Sequence, residues 1–314
     1  MAIDVQADLD FGLARRAINT PNGIKNGDSV SMMQLLRNAP GYGTSFAKLL
    51  TLFAESAHGE SLRAIGDPGG TYDSVIPLLD FRREMWMDAG PGTTTWSFKG
   101  AQGPTAVGTP TSRTPADGSV ISMLKGINHP STSTAGTLGG TRLPTPHCKI
   151  GGGNPGGGFV SYAKYGFTDA VSGARQFVGL RSSTSAPTNV NPNTLTNSIG
   201  FGADGSGANM KLFYGGSAAQ TPIDLGSNFP ATTADQVYEQ LIISLPGTNN
   251  AFAYIFGNVS TGLAIGGVLS GLTAGTQLPA SSTMLTPVQA WRTNNATASA
   301  VTLVLSQFIL YTPF

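Results

Sequence analysis

Short apolar runs separated by turn residues dominate the second half of the chain. Between Phe177 and Leu225 four such runs follow one another: FVGLRS, NSIGFGADG, MKLFYGG and TPIDLG. Each contains β-branched or aromatic residues and is closed by residues that favour turns or bends, such as Gly, Asn, Asp or Pro. No helical run lies between them. The pattern therefore predicts antiparallel strands of a sandwich or barrel and not a parallel sheet.

Similar runs continue to the C-terminus. They are FVSYAKYGFTD, VYEQLIISLP, AFAYIFGNVSTG, AIGGVLSG, MLTPVQAWRTN and AVTLVLSQFILYT. An earlier piece, SVISMLKG at 119–126, is interpreted as an edge strand. We therefore expect a mostly β protein in which residues 118–314 form one antiparallel β-sandwich domain.

The beginning of the chain has a different pattern. TSFAKLLTLFAESAHG, residues 44–59, places Phe46, Leu49, Leu50, Phe53 and Ala57 at helical spacing, with Thr44 as a cap and Gly59 as a stop. This predicts a small mixed, partly helical N-terminal domain over residues 1–88. Residues 89–117 are rich in Gly, Pro and Thr, which predicts a neck or linker before the sandwich.

The last strand is apolar on both faces. Strict alternation puts Val301, Leu303, Leu305, Ile309 and Tyr311 on one face and Val304, Phe308, Leu310 and Phe314 on the other. One face can pack in the core while the other meets a neighbouring subunit. This predicts a homotrimer whose interface uses Phe308, Leu310 and Phe314, with cover by a loop of the same chain as the alternative.

The charge and composition of the chain argue against nucleic acid and membrane as partners. Only 11% of the 314 residues are charged, against roughly 25% in an average globular domain. Lys and Arg form no run longer than a pair, which argues against nucleic acid as a partner. No run reaches the ~18 apolar residues of a membrane span, and the N-terminus lacks the pattern of a signal peptide, so we expect a product made in a cytosol and no membrane insertion.

Two segments carry motifs of a known class of protein. Phe11-Gly12, Ile18-Asn19-Thr20-Pro21 and Asp28-Ser29-Val30 follow the order found in the foot of phage tail fibres, although an ordinary hairpin and helix would also fit. Residues 118–314 resemble the concanavalin-like jelly-roll domains at the C-terminal ends of phage appendage proteins. The shared pattern includes Phe-Val-Gly-Leu at 177–180, Ile-Gly-Phe-Gly at 199–202 and Trp-Arg-Thr-Asn-Asn at 291–295.

The resemblance implies a non-enzymatic virion protein, a fibre or appendage. Residues 1–88 would attach it to other virion proteins, and the jelly roll would bind a host-surface receptor, for which a glycan is expected. Two alternatives stay open, a capsid or baseplate protein that touches no host and a tailspike that depolymerises glycan. The sequence identifies neither the host nor the receptor.

Candidate sugar contacts are aromatic rings beside polar loops, because sugars stack on rings and hydrogen-bond to amides and charged groups. The candidates are Trp291, Arg292, Asn294, Asn295 and Tyr214. A place in the core or in a subunit interface is the alternative for each of them.

No catalytic, cofactor or metal site is expected. The G-x-G-x-x-G at 200–205 precedes a strand and not a helix, so it is interpreted as a hairpin turn. His147-Cys148 lacks further partners for zinc or for nucleophilic catalysis. Beyond residue 158 the acids are Asp169, Asp204, Asp224, Asp235 and Glu239, and no pair among them has the pattern of a glycosidase.

Overall fold

The computed structural model describes residues 83–90, 92–99, 103–152 and 157–312. The predicted helix at 44–59, nearly all of the predicted N-terminal domain, and Phe314 lie outside the described residues. Among the described residues, no helix is long and apolar enough to span a membrane.

The described chain is built almost entirely from strands. Apart from a four-residue helix α1 (Val120–Met123) and a 3₁₀ turn at Pro192–Thr194, the elements are β1 (Arg83–Ala89), β2 (Trp96–Lys99), β3 (Thr105–Val107), β4 (Thr111–Arg113), β5 (Gly126–Pro130), β6 (Leu138–Arg142), β7 (Phe159–Phe167), β8 (Arg175–Arg181), β9 (Ser198–Asp204), β10 (Lys211–Gly215), β11 (Ile223–Asp224), β12 (Gln236–Ser244), β13 (Phe252–Asn258), β14 (Leu263–Leu269), β15 (Thr286–Thr293) and β16 (Thr302–Thr312).

The strands form two sheets. Sheet A has the order β14-β13-β12-β7-β16-β1-β2, with β5 also paired to β16 and β4 to β5. Sheet B has the order β11-β10-β9-β8-β15-β6-β3. The strand pairs within both sheets are antiparallel. The prediction of a mostly β, antiparallel sandwich is confirmed.

The core lies between the two sheets and is rich in aromatic residues. Phe256 of sheet A stacks on Phe201 of sheet B with ring centroids 4.6 Å apart. Tyr238 of the neighbouring strand stacks on Phe256 at 5.1 Å. Successive residues of a strand point to opposite faces, so every second residue of β9, β12 and β13 can join this layer. The inward-facing residues of these strands therefore form the core.

The sandwich begins earlier in the chain than the sequence indicated. β1 pairs with β16 along Arg83 to Asp88, and β2 pairs with β1. β3 pairs with β6, and β4 pairs with β5. The described part of the predicted neck, residues 89–117, thus supplies edge strands to both sheets. Its turn-rich composition is explained by the short connections between these strands, and the predicted boundary at residue 118 differs from the structure.

The predicted interface on β16 is also corrected. Phe308 and Leu310 are buried in the core of this chain, in the same cluster as Met85 and Met87 of β1. The pairing of β16 with β7 shifts between Leu305 and Gln307, which leaves Ser306 as an extra residue. Such a bulge exchanges the two faces of a strand. Leu303 and Leu305 therefore share the inner face with Phe308 and Leu310.

Candidate functional site

The structure divides the five predicted sugar contacts between different environments. Trp291 and Arg292 are neighbours in β15, so their side chains point to opposite faces of sheet B. Trp291 lies on the outer face, and Arg292 points into the space between the sheets. The sequence prediction grouped them as one contact surface, which the geometry of a strand does not allow.

Trp291 is buried on the outer face of sheet B. It packs with Phe177 of β8, at 6.4 Å between ring centroids, and with Phe213 of β10. Leu195, from the loop that joins β8 to β9, completes this cluster. Trp291 has no exposed surface, so it is not a sugar-stacking platform in this structure.

Arg292 is fully buried in a polar network. Its guanidinium donates through Nε to Asp169 at 3.2 and 3.1 Å and through Nη1 to Gln176 at 3.0 Å. Asp169 also accepts from the backbone N–H of Thr302 at 2.9 Å. The prediction of Arg292 as a glycan contact is therefore corrected, since its donors are used inside the protein.

Asn294 is buried as well and fastens a surface loop. Its side-chain nitrogen donates to the carbonyls of Thr132 and Thr134 at 3.0 and 2.9 Å. The preceding Thr293 donates to the carbonyl of Thr137 at 2.8 Å and pairs with the side-chain oxygen of Asn189 at 3.2 Å. Asn294 therefore holds the 132–137 loop in place and does not contact a ligand directly.

Asn295 stays at the surface, half-buried. Its φ of 52° lies in the left-handed region, which asparagine tolerates better than most residues. Its carbonyl accepts the backbone N–H of Gly136. Of the residues predicted around Trp291, Asn295 alone is not buried.

Tyr214 lies on the other face of sheet B from Trp291. It is half-buried against the core and packs on Phe252, with ring centroids 5.9 Å apart. The structure does not bring Tyr214 and Trp291 together, because β10 places its Phe213 on the outer face instead.

The end of β15 joins two polar loops, which sequence reasoning did not single out. The first is the connection at 132–137, TSTAGT, of which residues 132–136 are exposed. The second is the connection at 182–197, SSTSAPTNVNPNTLTN, whose Leu195 covers Trp291. Thr293 bonds to both. We call the exposed parts of 132–137 and 182–197, together with Asn295, the Thr/Asn surface. Its signal in the sequence is a high density of hydroxyl and amide side chains without charge.

Further contacts hold the second loop on sheet B. Arg142 donates to the carbonyl of Thr184. The side chain of Gln289 donates to the carbonyls of Ser183 and Ser185, each at 3.4 Å. Asn191 caps the 3₁₀ turn by accepting from the N–H of Asn193 at 3.1 Å. The loop is therefore ordered by many weak bonds, and its outward side presents a fixed set of hydroxyl and amide groups.

Asp204, Asp224 and Glu239 make local hydrogen bonds or ion pairs. Asp224 accepts from the N–H of Gly226 at 2.7 Å, and Glu239 pairs with Lys164 at 2.8 Å. Asp204 is nearly buried, which by itself raises its pKa, but hydrogen bonds from Lys211 and Ser206 outweigh burial and hold the pKa below its usual value. A glycosidase acid needs the opposite shift.

Cys148 is not available as a nucleophile. Cys148 is completely buried, and burial raises the pKa of its thiol far above the ordinary value, which suppresses the reactive thiolate. The backbone of Cys148 exchanges hydrogen bonds with Leu285. Within the described ranges, no three of the His, Cys, Asp and Glu side chains form a group that could hold a metal ion.

The glycine motif at 200–205 is only partly a turn. Gly200 and Gly202 lie inside β9, while Gly205 forms the turn with a φ of 78°. A Cβ on Gly202 would lie 1.8 Å from the carbonyl oxygen of Gln176, and one on Gly200 would lie 2.7 Å from the ring of Phe177. These two glycines give space to a neighbouring strand and an aromatic ring, and the motif cradles no phosphate.

Comparison with known proteins gives similarity in fold. No protein-family model matches the chain, and no curated protein matches it in sequence. A peanut lectin with a bound 9mer peptide aligns over 73% of this chain and 97% of its own, at 8% identity and a TM-score of 0.46. The lectin UEA-II complexed with galactose gives 10% identity, 74% and 99% coverage and a TM-score of 0.46. The CBM2 module of the evolved Dit protein of Lactobacillus casei BL23 phage J-1 gives 11% identity, 74% and 98% coverage and a TM-score of 0.40.

Proposed function

We propose that this chain is a non-enzymatic phage virion protein, a fibre or appendage, whose sandwich binds a neutral host-surface glycan through the Thr/Asn surface. The observation that carries the proposal is that Thr293 and Asn294 fasten two exposed, uncharged loops to one end of sheet B. The virion setting rests on the sequence resemblance of residues 11–30 and 118–314 to phage appendage proteins.

Neutral sugars suit this surface. Their hydroxyl groups need donors and acceptors, and this surface offers exposed Ser and Thr side chains, half-buried Asn side chains and backbone amides. Loops that are already ordered lose little conformational entropy on binding, which favours affinity. The rings of Trp291, Phe177 and Phe213 support the loop from below and do not stack on the sugar.

Weak single sites suffice if several copies act together. The homotrimer stays part of the proposal, although Phe308 and Leu310 do not form its interface. Linked copies raise the effective concentration at a repeating polysaccharide and multiply weak contacts. The molar mass of the full chain in solution, measured by light scattering, tests this part separately.

Binding is tested with a panel of purified bacterial surface polysaccharides immobilised on a sensor. The full chain should bind at least one of them, with little change between low and high salt because the surface is uncharged. Ser133→Arg and Thr188→Arg, both in exposed positions of the Thr/Asn surface, should abolish binding. Ser270→Arg and Ser282→Arg, at exposed positions outside these two loops, are the matched controls and should bind normally.

The same experiment separates the alternatives. Shortening of the polysaccharide during incubation would identify a depolymerase and contradict a binding-only role. Equal binding by all four arginine variants would place the site elsewhere. Failure to bind any host polysaccharide, together with burial of the sandwich by other proteins in images of the particle, would favour a capsid or baseplate protein.

A further inference from the structure

The outer face of sheet A carries two apolar rows across five strands. In each row, the pairing registers place neighbouring residues of adjacent strands side by side. The first row is Tyr311, Val160, Ile243, Ala253 and Val268. The second row is Ile309, Tyr162, Leu241, Ile255 and Gly266. We call these the outer apolar rows. The adjacent row is polar and contains Gln307, Lys164 and Glu239.

Six of the ten members of the outer apolar rows are buried to the degree of a core, and the other four are half-buried. Leu241 is 2% exposed, and Val160, Ile243 and Ile255 are each 1% exposed. They form a cluster of their own, whose members all come from strands of sheet A or the residue directly after β12. One layer of side chains on a sheet does not shield its own outer tips, so a second layer must lie over it.

A short helix provides such cover on the other side of the polar row. α1 contributes Ile121, and Leu124 follows it; both pack on Val237 and Val304, outward-facing residues of β12 and β16. A helix thus already covers part of the outer face of sheet A, at Val237 and Val304. α1 has four residues and its cluster is separate from that of the outer apolar rows.

We propose that residues 44–59 form an amphipathic helix that lies over the outer apolar rows and locks the N-terminal part of the chain onto sheet A. Phe46, Leu49, Leu50, Phe53 and Ala57 provide one apolar stripe. Sixteen helical residues span about 24 Å, and five strands span about 19 Å between the outermost axes, so the lengths agree.

The connectivity supports this occupant. β1 runs antiparallel to β16, with Arg83 beside Thr312 and Glu84 beside Tyr311. The chain therefore enters β1 at the end of the sheet where the outer apolar rows lie. The segment between Gly59 and Arg83 is long enough to bring a helix at 44–59 back over that face. A second copy of the chain is the competing occupant.

Thiol reactivity in the full-length chain tests the cover. Ala253→Cys puts a small probe in the first outer row, and Ala163→Cys puts one in the core between the sheets, while the native Cys148 is buried. Adding Leu49→Asp with Phe53→Asp should raise the reaction rate of the cysteine at 253 at least about tenfold and leave the cysteine at 163 protected. Thr44→Asp with Thr51→Asp adds the same charge on the polar side of the predicted helix and should change neither rate.

An unchanged rate at 253 in the Leu49→Asp, Phe53→Asp variant would overturn the proposal. A rate at 253 that depends on protein concentration would also overturn it and assign the cover to a second copy. If that variant exposes position 163 as well, a photo-cross-linking benzoylphenylalanine at position 53 of the otherwise native chain decides the matter. Cross-links to peptides containing 160–162, 241–243 or 253–255 of the same chain support the helix, and cross-links confined to other regions refute it.

Discussion

The guanidinium of Arg292 lies 4.0 Å from the centroid of the Phe167 ring. Arg292 belongs to sheet B and Phe167 to sheet A, so this cation–π contact joins the two layers. Asp169, two residues after Phe167, accepts hydrogen bonds from the same guanidinium. A charge buried this deeply is tolerated only because its carboxylate, amide and ring partners are all in place.

Removing Asp169 from its ion pair with Arg292 should lower the free energy of unfolding. Asp169→Ala leaves the Arg292 charge uncompensated, and we expect a loss of about 3–5 kcal/mol in the free energy of unfolding. Asp224→Ala, which removes an exposed turn carboxylate, is the control and should cost about 1 kcal/mol. Urea unfolding of both variants measures the difference. Equal losses of stability in the two variants would show that the buried ion pair contributes no more than an exposed turn carboxylate.

Acid should destabilise the sandwich through His129. Burial lowers the pKa of His129 to about 4, with the backbone of Gly140 partly offsetting the effect. The unfolded chain takes up a proton near pH 6.5, whereas the folded chain does not until about pH 4. Stability is therefore fully present above about pH 6.5 and is lost as the pH falls towards 4, by about 3 kcal/mol in total.

Replacing His129 isolates this contribution. His129→Leu cannot be protonated, so its free energy of unfolding should fall less steeply between pH 6.5 and 4 than that of the native chain. Chemical unfolding at several pH values measures both slopes. Parallel slopes would mean that His129 is not buried as a neutral ring.

Phe308 should behave as a core residue and not as an interface residue. Phe308→Ala removes an aromatic ring from the cluster with Met85 and Met87, and we expect a loss of about 3–5 kcal/mol in stability. The number of subunits measured by light scattering should stay the same below the unfolding transition. A folded chain of normal stability with fewer subunits would restore the interface that the sequence predicted.

Trp291 should affect stability and not sugar contact. Trp291→Ala opens a cavity beside Phe177 and Phe213 and should cost about 3–5 kcal/mol, whereas Trp291→Phe should cost less because a ring is retained. For the folded fraction of Trp291→Phe, polysaccharide affinity should equal that of the native chain. A large loss of affinity at native stability would show that the 182–197 loop opens and exposes the ring.

Short apolar runs and turn residues determined much of the fold. The runs at 159–167, 198–204, 236–244 and 252–258 contain β-branched or aromatic residues and are bounded by turn residues, which was enough to predict antiparallel strands. The absence of a paired-acid pattern pointed away from hydrolysis. The neutral Ser, Thr and Asn composition of the loops was visible too, although their position beside each other was not.

Tertiary structure alone decided which face of each strand is inside and what covers the other. Alternation defines two faces, but the bulge at Ser306 exchanges them within β16, and its position depends on pairing with β7. Trp291 is buried because the 182–197 loop folds over it. β1, at the end of the predicted N-terminal domain, acquired a partner in β16, about two hundred residues away. All three outcomes depend on contacts between distant segments, which local residue patterns do not encode.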